Sequence, residues 1–60
     1  MKTEELLRIL RKSGAKFDHH GKRHDVWEKD GITAIVPRHK TIKRETARGI
    51  LKDLGIKVII

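Results

Sequence analysis

Asp30-Gly31 lies between two β-rich runs and restricts the fold of this chain more tightly than any other pair of residues in it. Both residues tolerate positive φ, which a two-residue hairpin loop demands. With these two as the loop, Lys29 faces Ile32, Trp27 faces Ala34 and Val26 faces Ile35. Side chains alternate across a sheet. One face then carries Trp27, Ile32, Ala34 and Val36; the other carries His24, Val26, Thr33 and Ile35. The bulkier apolar set is expected to pack on helices, which leaves His24 on the open face. The same register puts Asp25 on the covered face, where a carboxylate is costly unless it sits at an edge. A slip of one residue would exchange the two faces.

The segments on either side of the hairpin have helical spacing. Leu6, Leu7, Ile9 and Leu10 follow Thr3, a favourable N-cap residue. Glu4 and Glu5 suit the positive end of the helix dipole, and Arg11 and Lys12 the negative end. Gly14 is a natural left-handed stop, so a helix is predicted from about Thr3 to Ser13. Ala15 to His19 alternates as a short strand, His20-Gly21-Lys22 reads as a turn, and Arg23 to Lys29 as the second strand. Ile32 to Val36 forms the third and ends at Pro37, which cannot donate to a ladder. Arg38 to Lys43 is a basic connection. Ala47, Ile50, Leu51 and Leu54 then make an amphipathic stripe closed by Gly55. Ile56 to Ile60 alternates briefly and is open to three readings: an extra strand, a docked tail or an interface. The order α-β-β-β-α predicts an α+β fold, with a three-stranded antiparallel sheet and two helices on one face. That is the architecture of double-stranded-RNA-binding domains, and shape alone licenses no function.

Composition narrows the class. The 60 residues, expected to form one domain over 1–60, contain no cysteine, so neither a disulfide nor a thiolate zinc site can support a modest core. Fifteen Lys and Arg against eight Asp and Glu leave a net charge of +7. So dense a positive field points to nucleic acid, an anionic membrane or an acidic protein partner. No apolar run approaches the roughly twenty residues of a membrane span. Met1-Lys2-Thr3-Glu4-Glu5 lacks a signal peptide's pattern, so a cytoplasmic location is expected.

The chemistry-bearing residues cluster in two short stretches, Gly21-Lys22-Arg23-His24 and Pro37-Arg38-His39-Lys40. Histidine gives and takes protons near neutral pH, and cations hold a polyanion. Taken alone, His24 reads as a solvent-exposed strand histidine. His39 is equally a phosphate contact or a loop residue packed near Pro37. Lys40, Lys43, Arg44 and Arg48 lead into the last helix, where they could clamp a phosphate or merely solvate the surface. Val26 and Ile35 form an open-face apolar pair that suggests a covered interface, whereas Trp27 is expected in the core. His19 and His20 read as strand-end residues, with one of them available as a second acid–base group. The nearest histidine pair, His20 and His24, brackets a turn without any cysteine, so no metal site is expected.

Nearly the whole chain resembles HicA-type toxins, small RNA-cleaving partners in type II toxin–antitoxin pairs. The resemblance begins with Glu5-Leu6-Leu7-Arg8-Ile9-Leu10 and the Gly14 break, then takes in Gly21, His24 and Trp27. Its most specific stretch is Val36-Pro37-Arg38-His39-Lys40-Thr41-Ile42-Lys43, followed by Thr46 to Ile56. The family implies an RNA-binding-domain-like fold and mRNA cleavage by one histidine on the sheet, usually preceded by a Gly-Ser pair. His24 matches by its distance to the following aromatic, while Lys22 and Arg23 stand between it and Gly21 in place of the serine. The resemblance therefore implies a metal-independent endoribonuclease with no cofactor, with His24 as general acid or base. Lys22, Arg23, Arg38, His39, Lys40, Lys43 and Arg44 would contact RNA, and a HicB-type antitoxin would cover the active face. Two other readings remain from the residues: a non-catalytic RNA-binding module, and a protein-interaction domain for an acidic partner.

Overall fold

Asp30 and Gly31 do form the hairpin loop, with φ of 52° and 83°. Positive φ at both positions is the twist-matched type I′ geometry. The computed structural model describes all 60 residues and contains α1 (Thr3–Lys12), β1 (Lys16–His20), β2 (His24–Lys29), β3 (Ile32–Pro37) and α2 (Arg44–Asp53). The strands form one antiparallel sheet in the order β1-β2-β3. Lys29 pairs with Ile32, Trp27 with Ala34 and Val26 with Ile35, the register that a two-residue loop dictates. Both helices contribute to one core with Trp27, Ala34 and Val36 of the sheet, so the fold is α+β and double-stranded-RNA-binding-domain-like.

The two helices stop by the same device. Ala15 N–H reaches the Leu10 carbonyl at 2.9 Å and Gly14 N–H the Arg11 carbonyl at 3.2 Å. After α2, Ile56 N–H reaches the Leu51 carbonyl at 2.8 Å and Gly55 N–H that of Lys52 at 3.0 Å. These are Schellman pairs, and they need the left-handed φ of 91° at Gly14 and 71° at Gly55. Ala15 and Ile56, which follow the two glycines, are buried in the same core as Leu10 and Leu51, so each stop also seals the core.

Two local expectations are corrected, and the open reading of the tail is narrowed. Thr3 is not the N-cap: Lys2 occupies that position without a side-chain cap. Thr3 is buried instead, and its hydroxyl donates to the His39 carbonyl. Backbone bonds from Thr3 N–H to the Lys40 carbonyl (3.0 Å) and from Ile42 N–H to the Met1 carbonyl (2.9 Å) tie the chain start to the basic connection. The second strand starts at His24, not Arg23, and β1 carries a bulge between Phe17 and His19. The tail after Ile56 forms no strand; Arg48 Nε donates to the Ile60 carbonyl at 3.1 Å and Ile59 is fully exposed.

Trp27 is buried as expected, with its indole N–H lacking an acceptor. An unpaired buried donor costs about 1–3 kcal/mol. Burying roughly 200 Å² of aromatic surface contributes about 5 kcal/mol, so the ring's area outweighs its orphaned donor. Phe17 meets its edge at 6.0 Å and the Arg11 guanidinium lies 5.9 Å from its centroid.

Leu10 is fully buried. Leu10→Ala is expected to cost about 2–5 kcal/mol, most of the roughly 3–9 kcal/mol available to a chain of this size. Ile35→Thr, at an exposed position that keeps β-branching, should change stability by less than about 0.5 kcal/mol. Urea unfolding followed by circular dichroism separates the two.

Candidate active site

The β1–β2 turn is built by two cross-strand pairs. His20 pairs with Asp25, and Gly21 N–H donates to the His24 carbonyl at 2.7 Å. Gly21 and His24 therefore face each other across a two-residue loop, Lys22-Arg23, whose side chains are exposed. Alternation from Trp27 puts His24 on the open face, as the sequence predicts, and half-buried. Its neighbour across the β2–β3 ladder is Pro37.

The His24 ring folds back over Gly21. A Cβ built on Gly21 would lie 2.8 Å from His24 Nε2 and 3.0 Å from Cδ2, closer than side chains approach. Gly21 has no positive φ, so what it supplies is space for the imidazole rather than backbone freedom.

Asp25 explains how a carboxylate survives on the covered face. Its Oδ1 lies 2.7 Å from His20 Nδ1 and 3.3 Å from Arg38 Nε. An ionised carboxylate only accepts, so His20 carries its proton on Nδ1. Arg38 also donates through Nη2 to the Gly21 carbonyl. One guanidinium thus joins the start of the basic connection to the residue beneath the His24 ring.

The other cations are distributed unequally. Lys22 and Arg23 sit at the loop tip beside His24, and Arg38 lies behind it. His39 and Lys40 line a groove of about 720 Å³ that also receives Lys2, Asp25 and Arg38. Lys43 and Arg44 are the N-cap and first residue of α2, exposed and outside that groove. Sequence reasoning missed Gly21 as a steric support and Asp25 as the anchor of Arg38. The available signal was the poor fit of a carboxylate to the covered face. The bulge at Asp18 was also missed; it turns His19 to the open face and His20 to the covered one. No three His, Cys, Asp or Glu side chains gather as a metal-binding group. No helix is long and apolar enough to cross a membrane.

The family model described as "HicA toxin of bacterial toxin-antitoxin" matches residues 3–56 of this chain. No curated protein and no solved structure matches it. A match over so much of the length shows the family: the chain belongs to the HicA toxins of bacterial toxin–antitoxin systems.

Gly21→Ala is expected to push the His24 ring off its seat while leaving the fold, with a net stability change within about 1 kcal/mol. Imidazole ¹H–¹⁵N spectra should show His24 resonances displaced and His39 resonances unmoved; unshifted His24 signals would contradict the steric argument.

Proposed function

We propose that this HicA toxin binds and cuts mRNA, with the His24 imidazole moving a proton at the scissile phosphodiester. One observation carries this reading: a half-exposed imidazole seated on Gly21, at a turn whose tip is Lys22-Arg23. RNA holds its own nucleophile. A base takes the 2′-hydroxyl proton, the 2′-oxygen attacks phosphorus, and an acid protonates the departing 5′-oxygen. Positioned proton transfer contributes about a hundred- to ten-thousand-fold in rate. Lys22 and Arg23, extending into solvent beside the ring, would hold the phosphate and offset the charge that builds on it. Arg38 is already engaged by Asp25 and Gly21, and its larger part is to hold the turn. His39, Lys40, Lys43 and Arg44 extend the basic track along which the strand would lie. The chemistry requires no metal or cofactor, since the nucleophile belongs to the substrate.

Family membership implies an antitoxin partner in general terms. A HicB-type antitoxin covering the open face would bury Val26 and Ile35, the latter 58% exposed. The second reading, an RNA-binding module without catalysis, is favoured by the basic pair standing where the family usually has serine. It predicts salt-sensitive binding with no cut products.

His24→Ala should abolish growth arrest on induced expression and lower RNA cleavage at least about a hundredfold, with or without EDTA and with an unchanged circular dichroism spectrum. Cleavage retained by the pure variant would reject the assignment. Replacing both Lys22 and Arg23 with Gln should flatten the salt dependence of RNA binding. The log–log slope should fall by about 1.4, at roughly 0.7 for each phosphate that is no longer neutralised. Titrations by fluorescence anisotropy measure it.

A further inference from the structure

We infer that His19 is the second proton-transfer group of the site, opposite in role to His24; this rests on the RNA-cleaving reading above. The first observation is the β1 bulge. Phe17 pairs with Trp27 on the covered face. Simple alternation would return His19 to that face. Asp18 is the extra residue of the bulge, so His19 pairs instead with Val26 on the open face. Bulges re-aim side chains in this way, and they concentrate beside active sites.

The re-aimed histidine lands next to His24. Gly21, just past the end of β1, lies opposite His24, and His19 precedes it by two residues, which puts the two on the same face. The two histidines are therefore diagonal cross-strand neighbours, a placement that typically separates residues by about 7–8 Å, with Cβ atoms somewhat closer. The His24 ring leans across Gly21 towards β1, the strand that carries His19. Nothing but the glycine stands between them on that strand's open face.

His19 is also oriented. Its Nδ1 lies 2.9 Å from Asp18 Oδ2. The carboxylate accepts, so the proton sits on Nδ1, and Nε2 faces solvent with its lone pair or a second proton. A carboxylate that fixes the tautomer and aims the ring is the arrangement of a positioned acid–base histidine. His20 lacks this placement, since it faces the covered side and is held by Asp25.

With both rings engaged, the cut balances. One neutral imidazole takes the 2′-hydroxyl proton while the 2′-oxygen bonds to phosphorus. The bond from phosphorus to the 5′-oxygen breaks, and the other, protonated imidazole gives that oxygen its proton. The products are a 2′,3′-cyclic phosphate and a 5′-hydroxyl, with one proton moved from ring to ring.

The test compares wild type, His19→Ala and His24→Ala on an ordinary RNA and on one whose scissile 5′-oxygen is replaced by sulfur. A thiolate leaves without an acid. His19→Ala should cut ordinary RNA at least about a hundredfold more slowly, bind it within about threefold of wild type, and lose one limb of the pH–rate profile. One of the two variants, not both, should recover on the sulfur substrate. His19→Ala cutting like wild type while His24→Ala is inactive would overturn the role of His19 and leave that of His24. Retention of both pH limbs in His19→Ala, or recovery of both variants or of neither, would also overturn it. A wild type that binds RNA without cutting it would bring down both. His19 is exposed, so its Ala variant should fold; the thermal melting curve verifies that.

Discussion

The Asp25 carboxylate is the contact on which the site depends. It sits on the helix-covered face with only part of its surface in water, where an unpaired charge would be expelled or neutralised. His20 from β1 and Arg38 from beyond β3 both reach Oδ1. A residue in the central strand thereby joins the edge strand on one side to the segment leaving the sheet on the other. Arg38 extends the link to the Gly21 carbonyl, and Gly21 carries the His24 ring on its opposite side. Backbone ladder bonds would form a hairpin here in any case. What the carboxylate adds is a fixed position for the turn in a molecule whose core is too small to impose one by packing alone.

Much of this was legible in the residues, and the reasons differ by element. Asp30-Gly31 set the β2–β3 register because its two positive φ values leave a single hairpin geometry, and His24 followed onto the open face by counting. The helix stops at Gly14 and Gly55 were legible for the same reason. Thr3 misled because its hydroxyl has a stronger use than capping: the His39 carbonyl, 36 residues away, is a partner that local pattern cannot reveal. The bulge at Asp18 was invisible because Ala15 to His19 alternates well enough to pass for a plain strand. Register against β2, set by the Gly21–His24 turn, overrides that alternation. The clamp on Asp25 left one trace, a carboxylate on what looked like the wrong face, which tertiary partners convert into an anchor.

Few of the charges serve the fold. Of the fifteen Lys and Arg, Lys29 and Arg38 alone make ion pairs, and Lys29 does so with its neighbour Asp30. Arg11 also lies over the Trp27 ring and Arg48 donates to the Ile60 carbonyl; the other cations are exposed and unpaired. Self-repulsion from such a surplus lowers stability. In so small a domain that is a sizeable concession, and it makes sense if the charge serves binding. A basic surface of this kind attracts a polyanion without reading its sequence.

The exchange of serine for Lys22-Arg23 is best judged by where those residues stand. The support of the His24 ring is Gly21, which touches it, and the ring would collide with any side chain placed there. Lys22 and Arg23 occupy the loop tip, and both are exposed. A serine hydroxyl at the tip could offer a single hydrogen bond to phosphate; an ammonium and a guanidinium offer several, with charge. The replacement therefore changes the charge at the loop tip and leaves the seat of the imidazole intact. A glycine replaced and a serine kept would have been the more damaging exchange, because space beneath a ring cannot be restored by anything the substrate brings.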